Sequence, residues 1–424
     1  MSWDFETEPE FEAKLAWMRA FVREQVFPLE TLDLDWDAYR QAIRPLQEQV
    51  KAEGLWAAHL DPELGGQGFG QVKLALMHEI LGGSLLAPPV FGSQAPDSGN
   101  SELLAIAATE DQKERWMKPL LAGEICSAFS MTEQGTGSDP KQFRTEARRE
   151  GDEYVINGRK WFVDQARRGA FHILMARTDS SEGADPYRTT SMIIVPSDTP
   201  GITVRDLGTM HAPAGDPLIH PLHEVIYEDV RVPVTSLLGE EGGGFVLAQR
   251  RLGPGRIHHC MRWLGVSRRA FDAMCERAVS ISVHGGLLSE KQTIQNWIAD
   301  SAAAMGAARL LTLQAAWKID REGAPAARNE IAMIKYHGAA VMHDVLDRAI
   351  QIHGALGYST DMPLELMYRW ARAGRIYDGP DEVHRASVAR RILREYEPRE
   401  VPSEHVPTRR ADYLARQQAA PAGG

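Results

Sequence analysis

The spacing of the apolar residues changes period twice along this chain, and that change limits the fold more than any other feature. In residues 1–126 the spacing is helical: Phe11, Leu15, Met18 and Val22 stand four, three and four apart, which places them on one face. Thr109-Glu110-Asp111-Gln112 has the spacing of a capping box and opens a helix carrying Trp116, Met117 and Leu120. Residues 61–68, rich in Gly, Pro and Asp, read as a turn. From residue 127 the signal becomes that of strands. Residues 153–156 and 159–163 flank Asn157-Gly158, which predicts a β-hairpin with a type I′ turn at that dipeptide. Further runs rich in β-branched residues at 171–175, 191–195 and 224–232 are bounded by Gly, Pro or Asp, predicting an antiparallel sheet arranged as a barrel or sandwich. From about residue 242 the helical period returns, with Ile331, Ile334, Gly338, Val341 and Val345 on one stripe. Segments 245–282, 290–319 and 380–396 are similarly helical, and long helices of this kind favour a bundle. The reading is an α+β protein with a helical domain over 1–126, a middle antiparallel β domain over 127–237, a helical bundle over 238–397 and a tail over 398–424. No internal repeat is evident.

Composition narrows the function. Of 424 residues, 43% are hydrophobic, enough for packed domains, so global disorder is excluded. A net charge of −11 argues against a nucleic-acid or anionic-membrane binder. No apolar run reaches the length of a membrane span, and the acidic start Met1-Ser2-Trp3-Asp4-Phe5-Glu6 lacks the features of a secretory signal. The three scattered cysteines, Cys126, Cys260 and Cys275, read as reduced, buried thiols in a cytoplasmic protein.

Three segments carry residues suited to chemistry. The first, Phe129 to Asp139, mixes hydroxyls with Gly135 and Gly137, a pattern that lets backbone N–H groups approach a polar ligand or simply makes a surface turn. The second, Gln351-Ile352-His353-Gly354-Ala355-Leu356-Gly357-Tyr358, follows a long helix that Gly354 and Gly357 can end. The third is Ile376-Tyr377-Asp378-Gly379-Pro380-Asp381-Glu382-Val383-His384-Arg385. Its carboxylates beside a histidine suit acid–base work or merely compensate the dipole of the next helix. His211, His220 and His223, predicted in a loop, and His258-His259 lack metal-ligand spacing, so no metal site is expected. Arg250, Arg251, Arg256 and Arg262 form a cationic helix able to hold a phosphate or to pair with the acidic surface.

Taken in order, these segments resemble the acyl-CoA dehydrogenase superfamily from about residue 8 to 396. The resemblance rests on Thr132-Glu133 with Gly137-Ser138-Asp139, on residues 151–154 running to Lys160-Trp161-Phe162, on Gln351 with Gly354, and on Asp378 to His384 with Arg251 to Arg262. It implies a helical domain, a β domain and a four-helix bundle, with FAD between the last two. By similarity, Phe129, Met131 and Thr132 border the flavin, Gly137 belongs to the same loop, and Ser138 lies near the pyrophosphate and the acyl-CoA. Phe162 and Asp164 take the places of an aromatic and a hydroxyl partner of the flavin. Gln351 and Gly354 reach the adenosine half from a neighbouring subunit, and Pro380 and Glu382 lie along the flavin. Asp378 aligns with the catalytic base, Gly379 and Arg256 lie on the substrate side, and Gly255 leaves no competing base on that helix. A base of this kind is expected in a dry pocket that raises its pKa toward neutrality.

The implied activity is α,β-desaturation of an acyl-CoA, with hydride passing to flavin N5, electrons to an electron-transfer flavoprotein, and assembly as a homodimer or homotetramer. The family's Arg-x-x-Phe-Gly-Lys segment reads Ile281-Ser282-Val283-His284-Gly285-Gly286 here. Losing that arginine removes a charge-assisted bond of about 1.5–3 kcal/mol, which is expected to loosen FAD unless His284 substitutes. Two alternatives stand beside the dehydrogenase: a flavin oxidase acting on a small acidic substrate without CoA, and a catalytically silent acyl-CoA-binding paralogue.

Overall fold

The computed structural model describes residues 5–398 apart from 33 and 213–221, together with 405, 414–416 and 418. Seven helices come first: α1 (Pro9–Phe21), α2 (Trp36–Ala52), α3 (Gln71–Leu81), α4 (Ala87–Val90), α5 (Asp97–Ala107), α6 (Glu110–Gln112) and α7 (Lys118–Ala122). Pro9 opens α1 with Glu10 and Glu12 in its first turn, and Phe11, Leu15, Met18 and Phe21 are buried as the spacing predicts. Val22 continues that stripe inside a π-turn. The Thr109–Gln112 capping box forms. The Gln112 amide also donates to the carbonyls of Thr235 (2.8 Å) and Leu237 (2.9 Å), fastening the helical segment to the sheet.

The sheet comprises β1 (Ser127–Ser130), β2 (Glu146–Glu150), β3 (Glu153–Val163), β4 (Phe171–Arg177), β5 (Thr190–Pro196), β6 (Ile202–Leu207), β7 (Leu222–Pro233) and β8 (Leu237–Leu238). It is a single sheet of order β6-β7-β3-β2-β4-β5-β8, with β1 beside β4. Two expectations need correction. The sheet is mixed, because β1 and a residue pair of β2 run parallel to β4. The long connection from β1 to β4 permits that direction, which a tight hairpin does not. The Asn157-Gly158 turn also does not form: the dipeptide lies inside the unbroken β3, and the chain reverses at Gly151-Asp152. There Asn157 spans to β7, its side chain donating to Asp229 Oδ1 (3.0 Å) and accepting from the Asp229 N–H (2.9 Å). Gly158 sits at a register shift, where a Cβ would lie 2.5 Å from Thr145 Oγ1. Close approach, not a turn, is why glycine stands here.

Both faces of β4 and β5 are covered. Phe171, Ile173 and Met175 pack toward Leu103, Leu104 and Leu120 of the helices, while Leu174 and Ala176 face Tyr154, Val225 and Val232 of the sheet.

The last segment contains α8 (Gly244–Ser280), a short hairpin β9 (Ser282–Val283) and β10 (Gly286–Leu287), then α9 (Gln292–Glu322), α10 (Arg328–His353), α11 (Leu364–Ala373) and α12 (Asp381–Leu393). The substituted Ile281–Gly286 segment makes this hairpin, with His284 (φ 48°) and Gly285 (φ 81°) at its tip. The 331–345 stripe is buried as predicted. One apolar core joins Phe11, Met18 and Leu74 to Ile257, Trp263 and Val345, so the two helical segments, separate in sequence, share an interior. Glycines set their approach: a Cβ on Gly82 would lie 2.1 Å from the Arg262 carbonyl oxygen, and one on Gly265 2.1 Å from that of Glu79. All three cysteines are free; Cys126 and Cys260 are buried, Cys275 half-buried. No helix among the described residues is long and apolar enough to cross a membrane. Most of the 398–424 tail lies outside the described residues.

Candidate active site

The short link between α11 and α12 carries Asp378, in the left-handed region (φ 54°), followed by Gly379 (φ 98°). Three side chains clamp this turn. Arg256 of α8 donates to the Asp378 carbonyl from Nε (3.1 Å) and Nη2 (3.0 Å), and His384 of α12 reaches the same oxygen through Nε2 (3.1 Å). Lys335 of α10 donates to the carbonyls of Gly374 (2.6 Å) and Gly379 (3.3 Å). Gly379 has no room for a side chain, since a Cβ would lie 2.8 Å from His384 Nε2.

The Asp378 carboxylate points to α8, with Oδ2 3.2 Å from His259 Nε2. Burial raises the pKa of this carboxyl, but the His259 hydrogen bond and the charges of Arg256 and Arg251 outweigh it and hold the group well below the usual carboxylate range. The expected shift toward neutrality is therefore reversed, because α8 turns its cations inward. Arg262 is buried and Arg251 and Arg256 are half-buried, and among the described residues none of the three forms an ion pair with a surface carboxylate. His259 is itself shifted down, chiefly by burial, so the pair is a carboxylate facing a neutral imidazole at pH 7.

The carboxylates of the third segment divide. Asp381 is buried and held by Arg375 (2.8 Å), Glu382 is exposed in the first turn of α12, and Pro380 is the helix N-cap. Asp378 is the carboxylate of the three that faces the arginines of α8.

A second group of sequence-marked residues converges on the end of β1. Phe129 bridges Asp164, and the Trp161 N–H donates to the Thr132 carbonyl (2.7 Å), which lays β1 and its following loop against the end of β3. Glu133 does not face this edge. It is buried beneath it, paired with Lys160 (2.8 Å) and accepting from the N–H groups of Arg144 (2.7 Å) and Thr145 (3.0 Å). Lys160 also donates to the Met131 carbonyl (2.8 Å). This brace leaves Met131 half-buried and Thr132, Gly137 and Ser138 exposed, with open space above Gly135 and Gly137. Phe162 is 47% exposed in a left-handed conformation (φ 54°) and packs on Trp161.

Arg251 connects the two groups. Its guanidinium lies 4.1 Å from the centre of the Phe129 ring and interacts electrostatically with Asp378, Glu102 and Asp164. Burial pushes Glu102 and Asp164 each up to about 7. Asp164 Oδ1 and Arg251 Nε are buried without hydrogen-bond partners. An open loop edge with hydroxyls, an exposed aromatic ring and unpartnered interior donor and acceptor atoms fit a planar cofactor with polar edges such as FAD.

Gln351 and Gly354 stand exposed at the C-terminal end of α10, and no hydrogen bond or ion pair among the described residues ties them to this site. Gly354 does end the helix (φ 65°). Among the described residues no three-residue metal cluster occurs. His223, expected in a loop, is buried in β7 against the Val163 carbonyl (3.1 Å), and His220 lies outside the described residues. His259, weighed in the sequence only as a metal ligand, is the histidine that meets the Asp378 carboxylate. Its signal was its position three residues after Arg256, on the same helical face.

Family models cover nearly the whole chain: the acyl-CoA dehydrogenase N-terminal domain matches residues 8–124, the middle domain 128–230 and the C-terminal domain 242–393. The chain is 44% identical over 387 residues to "Probable acyl-CoA dehydrogenase FadE2" of Mycobacterium tuberculosis, covering 88% of this chain and 93% of that protein. It is 40% identical over 393 residues to acyl-CoA dehydrogenase family member 11 of Rattus norvegicus, covering 89% of this chain but only 50% of that protein. Butyryl-CoA dehydrogenase of Megasphaera elsdenii superposes with a TM-score of 0.79 at 28% identity, over 92% of this chain and 100% of that one. The chain belongs to the acyl-CoA dehydrogenase family, whose members are FAD-dependent oxidoreductases acting on the CH–CH bond of acyl-CoA thioesters.

Proposed function

We propose that Asp378 is the base of an α,β-desaturation of an acyl-CoA thioester. The observation that carries this is the clamped turn: a half-buried, ionised carboxylate on a backbone held by Arg256 and His384, linked through Arg251 to the Phe129 edge. When bound, FAD supplies the acceptor for the hydride leaving the β-carbon. The α C–H bond breaks toward an Asp378 carboxylate oxygen, and its electron pair forms the new double bond. No backbone carbonyl among the described residues accepts from the Asp378 N–H, which leaves this donor for the thioester oxygen, where enolate charge develops. Phe129, Met131, Thr132, Gly137, Ser138, Phe162 and Asp164 would hold the flavin. Arg256 spends two donors on the turn, so its effect on the thioester end is exerted largely by fixing Asp378 and Gly379.

Gln351 and Gly354 would serve the flavin of a neighbouring copy, which makes the working unit at least a homodimer. The electrons would leave to an electron-transfer flavoprotein. Asp378→Asn tests the central assignment: the purified variant retains the visible absorbance of FAD, yet that absorbance no longer bleaches with acyl-CoA in the absence of oxygen. Bleaching at the wild-type rate would reject Asp378 as the base. Bleaching of the wild type by thioesters also separates the dehydrogenase from the CoA-independent oxidase and the silent paralogue.

A further inference from the structure

We propose that His259 is the positioning residue of the base: its imidazole N–H holds Asp378 Oδ2, so that Oδ1 alone is presented to the substrate α-carbon. This rests on Asp378 being the base. The turn that carries Asp378 is immobilised through its carbonyl by Arg256 and His384, but those bonds leave the two side-chain torsions of the aspartate free. Among the described residues, His259 makes the one ion-pair or hydrogen-bond contact recorded to a carboxylate oxygen of Asp378. An aspartate side chain is short, so a carboxylate swinging about these torsions loses the reacting geometry, and a displacement of about 1 Å at a reacting group costs on the order of 100-fold.

The imidazole is itself packed against a pair of hydrogen-bonded rings. Its ring lies 5.1 Å from that of Tyr377 and 6.3 Å from that of Trp263, and Trp263 Nε1 donates to Tyr377 Oη (3.0 Å). Around Asp378 stand Arg251, Arg256, Cys260 and Arg262 of α8, Lys335 of α10, Tyr377 beside it in the turn, and His384 of α12, while Asp381 of α12 is turned to Arg375. The nearest arginine bonds reach the carbonyl, not the carboxylate. A neutral imidazole suits the task because it donates one hydrogen bond without the full positive charge that would weaken the base further. Without His259, burial acts on a carboxylate stripped of its hydrogen bond, and its proton affinity rises.

The test uses the FAD-loaded enzyme and a saturated acyl-CoA in anaerobic stopped flow. His259→Phe keeps a ring beside Tyr377 and Trp263 but removes the N–H, and His259→Gln restores a donor at similar reach. His259→Phe is expected to slow the limiting rate of flavin reduction by about 10–100-fold. FAD content and substrate Kd stay within about twofold of wild type, and the acid limb of the rate profile moves upward by about one pH unit. His259→Gln recovers part of the rate and returns the limb toward wild type. A His259→Phe enzyme with a rate within about twofold of wild type and an unmoved acid limb overturns the proposal. So does a slow variant whose limb does not move, since a merely structural defect gives that pattern. Should His259→Phe fail to fold, His259→Asn, whose amide is too short to reach Oδ2, carries the same expectation. The Asp378→Asn enzyme separates the two readings. If it still reduces flavin, the base assignment fails; if it is inactive while His259→Phe behaves as wild type, only the role of His259 fails.

Discussion

Replacing Lys160 with methionine removes an ammonium group from the interior at almost constant volume. Lys160 is fully buried on β3, bonded to Glu133 and to the Met131 carbonyl at 2.8 Å each, and its Nζ lies 4.2 Å from the centre of the Phe143 ring. Each charge-assisted bond is worth about 1.5–3 kcal/mol, but the larger effect is on the partner left behind. Glu133, 5% exposed, would keep two backbone N–H donors and lose its counterion. Breaking a buried pair on one side costs about 3–5 kcal/mol, and that is the predicted loss for Lys160→Met. Urea denaturation of the FAD-loaded protein at pH 7.5 reads it as a lowered midpoint. Because Met131 and Thr132 ride on this brace, the variant also releases its flavin more readily, seen as free-flavin fluorescence after gel filtration. Lys160→Met with Glu133→Gln removes the orphaned charge and should recover about 1–2 kcal/mol of the loss. A single variant within about 1 kcal/mol of wild type with full flavin content would refute the idea that this pair holds the loop.

Other expectations follow from the same structure. Asp320 of α9 caps α3 through the N–H groups of Gln71 (2.6 Å) and Val72 (3.0 Å), so Asp320→Ala should cost about 1–2 kcal/mol in urea midpoint, and no loss would show the cap to be idle. Gly265→Ala drives a methyl into the Glu79 carbonyl and should lower stability by about 3 kcal/mol or more, whereas a wild-type melting temperature would mean that α3 and α8 can separate freely. Burial lowers His172 to about 4, with its ring nitrogens 2.9 Å from Tyr227 Oη and 3.0 Å from the Ala166 carbonyl. Its folded pKa lies below its unfolded value, so the stability it contributes is present above pH 6.5 and is lost as pH falls toward 4. This one group makes about 1.4 kcal/mol of difference between pH 7.5 and 5.5, and the His172→Phe variant, compared with wild type by urea midpoints at both values, should lack it.

Element existence was legible where a local period carries it. The Phe11–Val22 and Ile331–Val345 stripes, the Thr109 capping box and the ending of α10 at Gly354 each need only a few neighbouring residues to specify them. Asn157-Gly158 misled for an instructive reason. The dipeptide is a turn signal in isolation, but here Thr145 and Asp229 approach it from neighbouring segments, and the glycine answers that contact. The site was legible in part. Asp378 and the 129–138 loop stood out as motifs, while the downward shift of Asp378 did not, because it depends on Arg251, Arg256 and His259 arriving from a helix more than 100 positions earlier.

The sequence by itself determined the helix–sheet–helix order, the location of three polar segments and the acidic balance of the chain, because periodicity, turn chemistry and composition are local properties. Tertiary structure alone decided which way α8 turns its arginines, which carboxylate of the 378–382 run faces α8, and that Glu133 braces the loop instead of lining it. Those outcomes rest on burial and on charges brought together from distant segments. Electrostatic interactions strengthen where water is excluded, and exclusion exists only once α8, α10, α12 and the sheet have packed.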